Sequence, residues 1–215
     1  MVGAVSTAAA KKAAKPAAKA ERIVDDAPVE FANAAALARW YKRHHGTHAG
    51  VWLRIAKKAS GIASVDHPEA LEIALCFGWI DGQRKSDKSD GEQYFLQRFT
   101  PRTARSTWSK INRDKALKLI DDERMQPAGL AEVERAKADG RWEAAYDAAS
   151  VATVPPDLQA ALDANKKAAK FFATLDARNR YAVLFRTQGA KKAETRARRI
   201  AQFVEMLAKG EKIHP

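Results

Sequence analysis

Residues 66–82 change from helical to extended character across one glycine, and this switch restricts the fold more than any other segment. Asp66, Pro68 and Glu69 have the order and spacing of a capped helix N-terminus, in which acidic side chains accept from backbone N–H groups that the helix leaves unpaired. Apolar residues then recur at helical spacing until Gly78, where the helix is predicted to end. The sequence therefore predicts a helix that leads directly into a strand.

Other segments have the pattern of strands. Residues 51–55 alternate between aliphatic and larger side chains, which places three aliphatic residues on one face of a strand. Residues 79–84 and 94–99 flank a polar turn with Asp90 and Gly91, a pair that is typical of a β-hairpin. These segments predict a small antiparallel sheet of about three strands.

Helical spacing dominates the rest of the chain. One helix is predicted from Phe31 to His44. Asn112 is expected to cap a helix that runs to about Glu123, and Pro127 is expected to begin the next one. Further helices are predicted at residues 158–164, 166–175, 178–187 and 191–209.

These patterns predict an α+β fold in which helices pack on one side of the sheet and the C-terminal half is helical. Residues 1–25 are expected to be a disordered tail rich in Ala, Lys and Pro, because no bulky side chain there offsets the entropy of ordering. Residues 26–150 are expected to form the α+β core, and residues 151–215 a basic helical C-terminal segment. Residues 147–156 lack periodicity and are the expected linker.

The net charge of +12 is concentrated at the two ends of the chain. Residues 1–20 contribute +4 and residues 166–215 contribute +9, whereas residues 21–165 are nearly neutral at −1. Two interpretations are open, which are binding of a polyanion such as nucleic acid and simple solubility. The cations predicted to contact phosphates are Lys11, Lys12, Lys15, Lys19, Lys191, Lys192, Arg196 and Arg199.

Polar and aromatic residues after the switch point to a small-ligand site. Trp79 and Asp81 alternate along one strand and therefore share a face. Together with Arg102, Trp108 and Asn112 they could form a polar pocket with aromatic walls. The alternative is that Asp81 and Arg102 form a structural ion pair while both tryptophans belong to the core.

No cofactor and no metal site are expected. His44, His45 and His48 are close in the sequence, but Gly46 interrupts their helix, and neither an acidic residue nor a cysteine accompanies them. Cys76 is predicted to be buried in its apolar helix, without an adjacent base to activate it. The sequence contains neither the glycine-rich loops that bind nucleotides nor a GxSxG motif.

Five segments carry a resemblance to a known family. They are VWLRIAKKASG, EALEIALCFGWIDG, QRFTPRTARSTWSKIN, RMQPAGLAEVERAKADGRW and AKKAETRARRI. Through them the chain resembles the YdeI/OmpD-associated family, also called bacteriocin-protection or OmdA-like proteins, over most of residues 31–209. The resemblance implies a bacterial stress-protection or accessory protein that has a protein partner, in a family without an agreed biochemical activity.

The sequence has no run of about 18 apolar residues that could cross a bilayer and no secretory signal, and its single cysteine suits a reducing compartment. We therefore expect a cytoplasmic protein. The family resemblance implies a non-enzymatic accessory protein for stress, antimicrobial-peptide or bacteriocin protection, and the residues above add a small binding pocket. The alternative is a nonspecific nucleic-acid-associated protein that uses both cationic ends. A third interpretation, an enzyme of unrecognised type, depends only on the pocket residues.

Overall fold

The computed structural model describes residues 22–89 and 91–215, which contain one four-stranded sheet and eight α-helices. The predicted α+β class and the helical C-terminal half are confirmed. The strands are β1 (Ile23–Val29), β2 (His48–Ala56), β3 (Trp79–Ser86) and β4 (Tyr94–Pro101), in the spatial order β1-β2-β4-β3. The prediction of about three strands was wrong by one strand, because β1 was assigned to the tail and the segment after it.

Strand β1 differs from the predicted strands in its sequence and in its pairing. Its Ile23 and Val24 are exposed, and it contains Pro28, so it has no alternating apolar face that a sequence pattern could detect. It pairs in parallel with β2 and has two register shifts along that ladder. The sheet is therefore mixed rather than purely antiparallel, since β2–β4 and β3–β4 are its antiparallel pairs.

The expected disordered tail covered residues 1–25. Residues 1–21, with the four predicted phosphate-binding cations Lys11, Lys12, Lys15 and Lys19, lie outside the described residues. Because β1 begins at Ile23, the last three residues of the expected tail belong to the sheet.

Helices α1 (Ala34–His44) and α2 (His67–Cys76) share a hydrophobic core with the apolar face of β2, and the predicted alternation in β2 is confirmed. The capping box that begins α2 is also confirmed, since Asp66 accepts from the backbone N–H of Glu69 and Glu69 accepts from that of Asp66. Gly78 ends the helical segment with a positive φ of 74°, a left-handed conformation that favours glycine. A Cβ at Gly78 would lie 2.8 Å from the carbonyl oxygen of Ala128.

Helices α3 (Lys110–Asp121) and α4 (Pro127–Ala138) follow the sheet. The predicted cap at Asn112 was wrong, because Ser109 is the N-cap and its side chain accepts from the backbone N–H of Asn112 at 3.1 Å. Ser109 is held in extended conformation by an isolated parallel bridge to Tyr146, which places it outside the helix. The bridge to Tyr146 therefore determines that Ser109, and not Asn112, caps the helix.

The C-terminal helices are α5 (Pro156–Asp163), α6 (Lys166–Ala173), α7 (Ala177–Gln188) and α8 (Ala193–Ala208), close to the predicted ranges. They surround a second hydrophobic core that shares no residue with the first one. Its most completely buried members are Leu158, Leu162, Ala168, Val183 and Leu207. The described chain therefore has two separate cores, one around the sheet and one among its last four helices.

Gly129 sets the distance between α4 and α2. A Cβ at Gly129 would lie 2.8 Å from the carbonyl oxygen of Leu75 and would also meet the carbonyl of Cys76 and the sulfur of Met125. A glycine inside a helix is usually less stable than alanine by about 0.5–1 kcal/mol. We expect Gly129→Ala to be destabilising instead, because of these contacts, and to lower the free energy of unfolding by about 2 kcal/mol, measured by urea denaturation.

Gly46 supplies the matched control for this substitution, because a Cβ there would meet nothing within 4 Å and its φ is not positive. Gly46→Ala is expected to change the free energy of unfolding by less than about 0.5 kcal/mol. A Gly129→Ala protein as stable as the wild type would contradict the close contact between α2 and α4.

Candidate functional site

Trp79 belongs to the core around the sheet and also lines a cleft. Its ring is only 1% exposed and packs edge-on against Trp40 and Tyr41. The indole N–H donates to the carbonyl oxygen of His45 at 3.1 Å, so its polar atom is satisfied although the ring is buried. The hydrogen bond thereby fixes the first residue of β3 against the end of α1.

Asp81 pairs with His67 and not with Arg102. The two side chains approach to 3.2 Å between Nε2 of His67 and Oδ2 of Asp81, and both are about one quarter exposed. The sequence patterns indicated no contact for His67, so this pairing was missed. The expected alternative of an Asp81–Arg102 ion pair is therefore wrong.

Arg102 is the most unusual polar residue in this region. It is only 5% exposed, and its guanidinium carbon lies 3.5 Å from the centroid of the Trp108 ring. Its Nη1 donates to the carbonyl oxygen of Thr107 at 3.1 Å, and its backbone N–H donates to the carbonyl oxygen of Gly78 at 2.9 Å. Nε and Nη2 have no hydrogen-bond acceptor among the described residues.

The charge of Arg102 is costly in this position. Burial lowers the pKa of its guanidinium to about 10, and the nearby carboxylate of Glu132 opposes that shift. The group therefore stays protonated at neutral pH although burial disfavours the charged form. A buried donor without an acceptor costs about 1–3 kcal/mol, so two of them on one cation require an explanation.

The Trp108 ring lies against this guanidinium, and Asn112 follows four residues later in the chain. Trp108 is 2% exposed and packs edge-on against Trp142, with 4.9 Å between the ring centroids. Asn112 lies in the first turn of α3, where its backbone N–H is bonded to the cap at Ser109. Trp108 is thus a core residue that supports Arg102, as the alternative interpretation predicted.

A cleft of about 250 Å³ lies beside Arg102. Of the five predicted pocket residues, Trp79 and Arg102 line it, whereas Asp81, Trp108 and Asn112 do not. The lining residues are Arg22, His45, Gly46, Phe77, Gly78, Trp79, Pro101, Arg102, Ala128 and Glu132. The sequence did not indicate Arg22, His45 or Glu132, because three distant parts of the chain meet there.

Among the described residues, Glu132 is the only carboxylate that lines the cleft, and several arginines surround it. It forms an ion pair with Arg135 on the next turn of α4. Burial raises the pKa of the Glu132 carboxyl, while Arg135, Arg102, Arg141 and Arg22 act in the opposite direction. Because Arg141 is paired with Asp139, these four arginines are set against two carboxylates, and the region around the cleft keeps an excess of positive charge.

The predicted phosphate-binding cations of the C-terminal segment are partly used within the fold. Arg196 donates to both carboxylate oxygens of Asp157 at 2.5 and 2.9 Å, and to the carbonyl oxygen of Thr187. Arg199 donates to the carbonyl oxygen of Arg186. Lys191 and Lys192 are exposed ahead of α8. Two of these four cations therefore connect α8 to α5 and α7, which does not favour a dedicated polyanion surface.

The histidine cluster contains a close pair. The rings of His44 and His48 are 4.9 Å apart, and the ring of His45 contacts the carbonyl oxygen of Tyr41 through Nδ1 at 2.9 Å. Within residues 22–89 and 91–215, no group of three or more His, Cys, Asp and Glu side chains could hold a metal ion. In the same part of the chain, no helix has the length and apolar character that crossing a membrane requires.

Comparison with known families divides the chain at the same place as its two cores. Residues 151–210 match the family described as Bacteriocin-protection, YdeI or OmpD-Associated. The chain carries a YdeI/OmpD-associated domain. Residues 29–132 match a Domain of unknown function (DUF8412). No curated protein and no solved structure matches the chain.

The resemblance to the YdeI/OmpD-associated family is thus confirmed, and its extent is narrower than the expected residues 31–209. Only the AKKAETRARRI segment lies inside the YdeI/OmpD-associated domain, since the other four motifs precede residue 151. The Arg102 cleft lies in the N-terminal part, outside that domain.

Two equally buried arginines differ in their partners and allow a test of what Arg102 does for stability. Arg141 is 8% exposed, donates to the Asp139 carboxylate at 2.8 Å and donates to the carbonyl oxygen of Ser106 at 2.7 Å. We expect Arg141→Met to lower the free energy of unfolding by about 1–3 kcal/mol, because charge-assisted hydrogen bonds are lost.

Arg102→Met is expected to leave that free energy unchanged within about 1 kcal/mol, because removing two unpaired donors offsets the lost contact with Trp108. Urea denaturation of both variants checks the pair. A loss for Arg102→Met as large as that for Arg141→Met would show that Arg102 stabilises the fold, and its burial would then need no further explanation.

Proposed function

We propose that this protein is a non-enzymatic accessory protein of bacteriocin or stress protection, which holds a small anionic ligand in the Arg102 cleft. The observation that carries the proposal is the buried Arg102 guanidinium, which belongs to a residue that lines the cleft and has two N–H donors without an acceptor among the described residues. A protein of marginal stability retains such a cation at a cost, and a ligand that accepts those bonds explains why.

The donor geometry selects the chemistry of the ligand. A guanidinium presents its N–H groups in a planar fork that matches two oxygens of a carboxylate or a phosphate. Trp108 holds one face of that fork, and the bond to Thr107 fixes Nη1, so the group is already oriented. Arg22, which also lines the cleft, adds attraction for an anion, whereas Arg135 and Arg141 are paired with Glu132 and Asp139.

The cleft volume limits the size of the ligand. At about 250 Å³ it is smaller than the roughly 300–1,000 Å³ typical of sites for drug-sized molecules. It therefore suits inorganic phosphate or a short carboxylate. The aromatic wall formed by Trp79 and Phe77 leaves room for only a small apolar portion.

The groups of the cleft that could move a proton are engaged in other contacts. His45 contacts the Tyr41 carbonyl through Nδ1, and Glu132 is paired with Arg135. Neither is bonded to a nucleophile, as an acid–base catalyst of acyl or phosphoryl transfer requires. This supports binding over catalysis. The protective role comes from the name of the family that residues 151–210 match, and we place it in the cytoplasm.

Binding of inorganic phosphate and acetate by isothermal titration calorimetry tests the cleft. We expect saturable binding of at least one of them, and a Kd that rises about tenfold or more in Arg102→Met, because a charge-assisted bidentate contact is lost. Arg105→Met is the matched control, since it removes the same charge from an exposed position three residues away. It is expected to change Kd less than about twofold. Equal weakening by both variants would contradict a specific site.

The protective role is tested by survival of a bacteriocin-sensitive bacterial strain that expresses the protein. We expect the wild type to raise the surviving fraction, and Arg102→Met to lose most of that effect at equal protein levels, because its ligand is no longer held. Arg105→Met should protect as the wild type does. Full protection by Arg102→Met would show that the protective role does not depend on the cleft.

A further inference from the structure

A second cavity, of about 420 Å³, lies between α1, the end of α2 and the connection from α3 to α4. Its lining residues are Ala38, Arg39, Lys42, Ile73, Cys76, Phe77, Arg124 and Gln126. Phe77 also lines the Arg102 cleft, but the two cavities share no charged residue. We name this cavity the α1–α2 pocket, and its volume lies within the range typical of small-molecule sites.

The floor of the α1–α2 pocket is apolar. Ala38, Ile73, Cys76 and Phe77 form it, and Ile73 and Cys76 are almost completely buried. Burial raises the pKa of the Cys76 thiol, so at neutral pH this side chain stays uncharged and behaves as a small apolar group. An occupant of the pocket can therefore bury a hydrocarbon group against this floor.

The rim of the pocket is cationic. Arg39 and Lys42 lie three residues apart on α1, and Arg124 comes from the connection between α3 and α4. Arg124 is paired with Glu72 at 3.3 Å, whereas Arg39 and Lys42 have no ion-pair partner in the described part of the chain. In the part of the chain that the structure describes, no carboxylate lines this pocket. Two unpaired cations and a third, partly neutralised one thus face the opening over an apolar floor.

We propose that the α1–α2 pocket binds a monomeric organic anion with a short apolar chain, of the class of medium-chain carboxylates. The carboxylate lies at the rim between Arg39 and Lys42, and the chain lies on the floor formed by Ile73, Cys76 and Phe77. The carboxylate of such a molecule matches the cationic rim, and its chain matches the apolar floor. A bare anion would contact only the rim favourably, and a neutral hydrocarbon only the floor. This binding site is separate from the Arg102 cleft and does not depend on what the cleft binds.

Calorimetric titration with octanoate, below the concentration at which it forms micelles, tests the proposal. We expect saturable binding at one site, with 1-octanol and octylammonium binding at least tenfold more weakly, because each lacks the negative charge. Equal affinity for octanoate and 1-octanol would overturn the role of the cationic rim.

Substitutions locate the binding site. Arg39→Gln with Lys42→Gln is expected to weaken octanoate binding about tenfold or more. Arg105→Gln with Lys118→Gln removes the same charge from exposed residues that line neither cavity, and it should leave binding within about twofold of wild type. Equal weakening by the two double variants would overturn the pocket and indicate nonspecific attraction.

A third substitution tests the floor without changing charge. Ala38→Leu adds apolar volume inside the pocket, and it should weaken octanoate binding tenfold or more while both rim cations remain. Arg102→Met should bind octanoate as the wild type does, which separates this site from the proposed anion cleft. Binding of anionic lipid vesicles without binding of monomeric octanoate would overturn the proposal in favour of a membrane surface.

Discussion

The structure around the sheet depends on the close approach of α4 to the end of α2, at two positions where glycine contributes no side chain. Gly129 of α4 lies against the carbonyl groups at the end of α2, and Gly78 lies against the carbonyl of Ala128. Because backbone atoms approach this closely, a side chain at either glycine would displace α4 from the end of α2. It brings Glu132 to the cleft beside Arg102, and it brings the N-terminus of α4 to the α1–α2 pocket.

The parts of the fold that were predicted correctly depend on local signals. The capping box at Asp66 and the stop at Gly78 act within a few residues, so their pattern in the sequence is sufficient. The errors come from long-range pairing. Strand β1 is an edge strand without an apolar face, and the choice of Ser109 over Asn112 as a cap depends on a bridge to a residue far along the chain.

The same distinction applies to the candidate site. Trp79 and Arg102 were found because aromatic and charged residues close to a structural switch are conspicuous in the sequence. Glu132 could not be found, because its place in the cleft depends on how α4 packs on α2. The pairing of Asp81 with His67 was missed for the same reason. The nearly neutral charge of residues 21–165 also concealed the local excess of arginines, since a segment total does not describe a local potential.

The two edges of the sheet also influence how the molecule behaves among its own copies. An edge strand offers unpaired N–H and C=O groups to any neighbouring strand, and long, flat, apolar edges therefore promote association. Strand β1 interrupts its edge with Pro28 and two register shifts, and β3 has a register shift and an exposed cationic stretch at Arg84 and Lys85. These irregularities hinder pairing of an edge strand with a strand of another molecule, and so protect a concentrated solution of the protein against association through its sheet edges. The irregular sequence of β1 is also the reason why its pattern did not predict a strand.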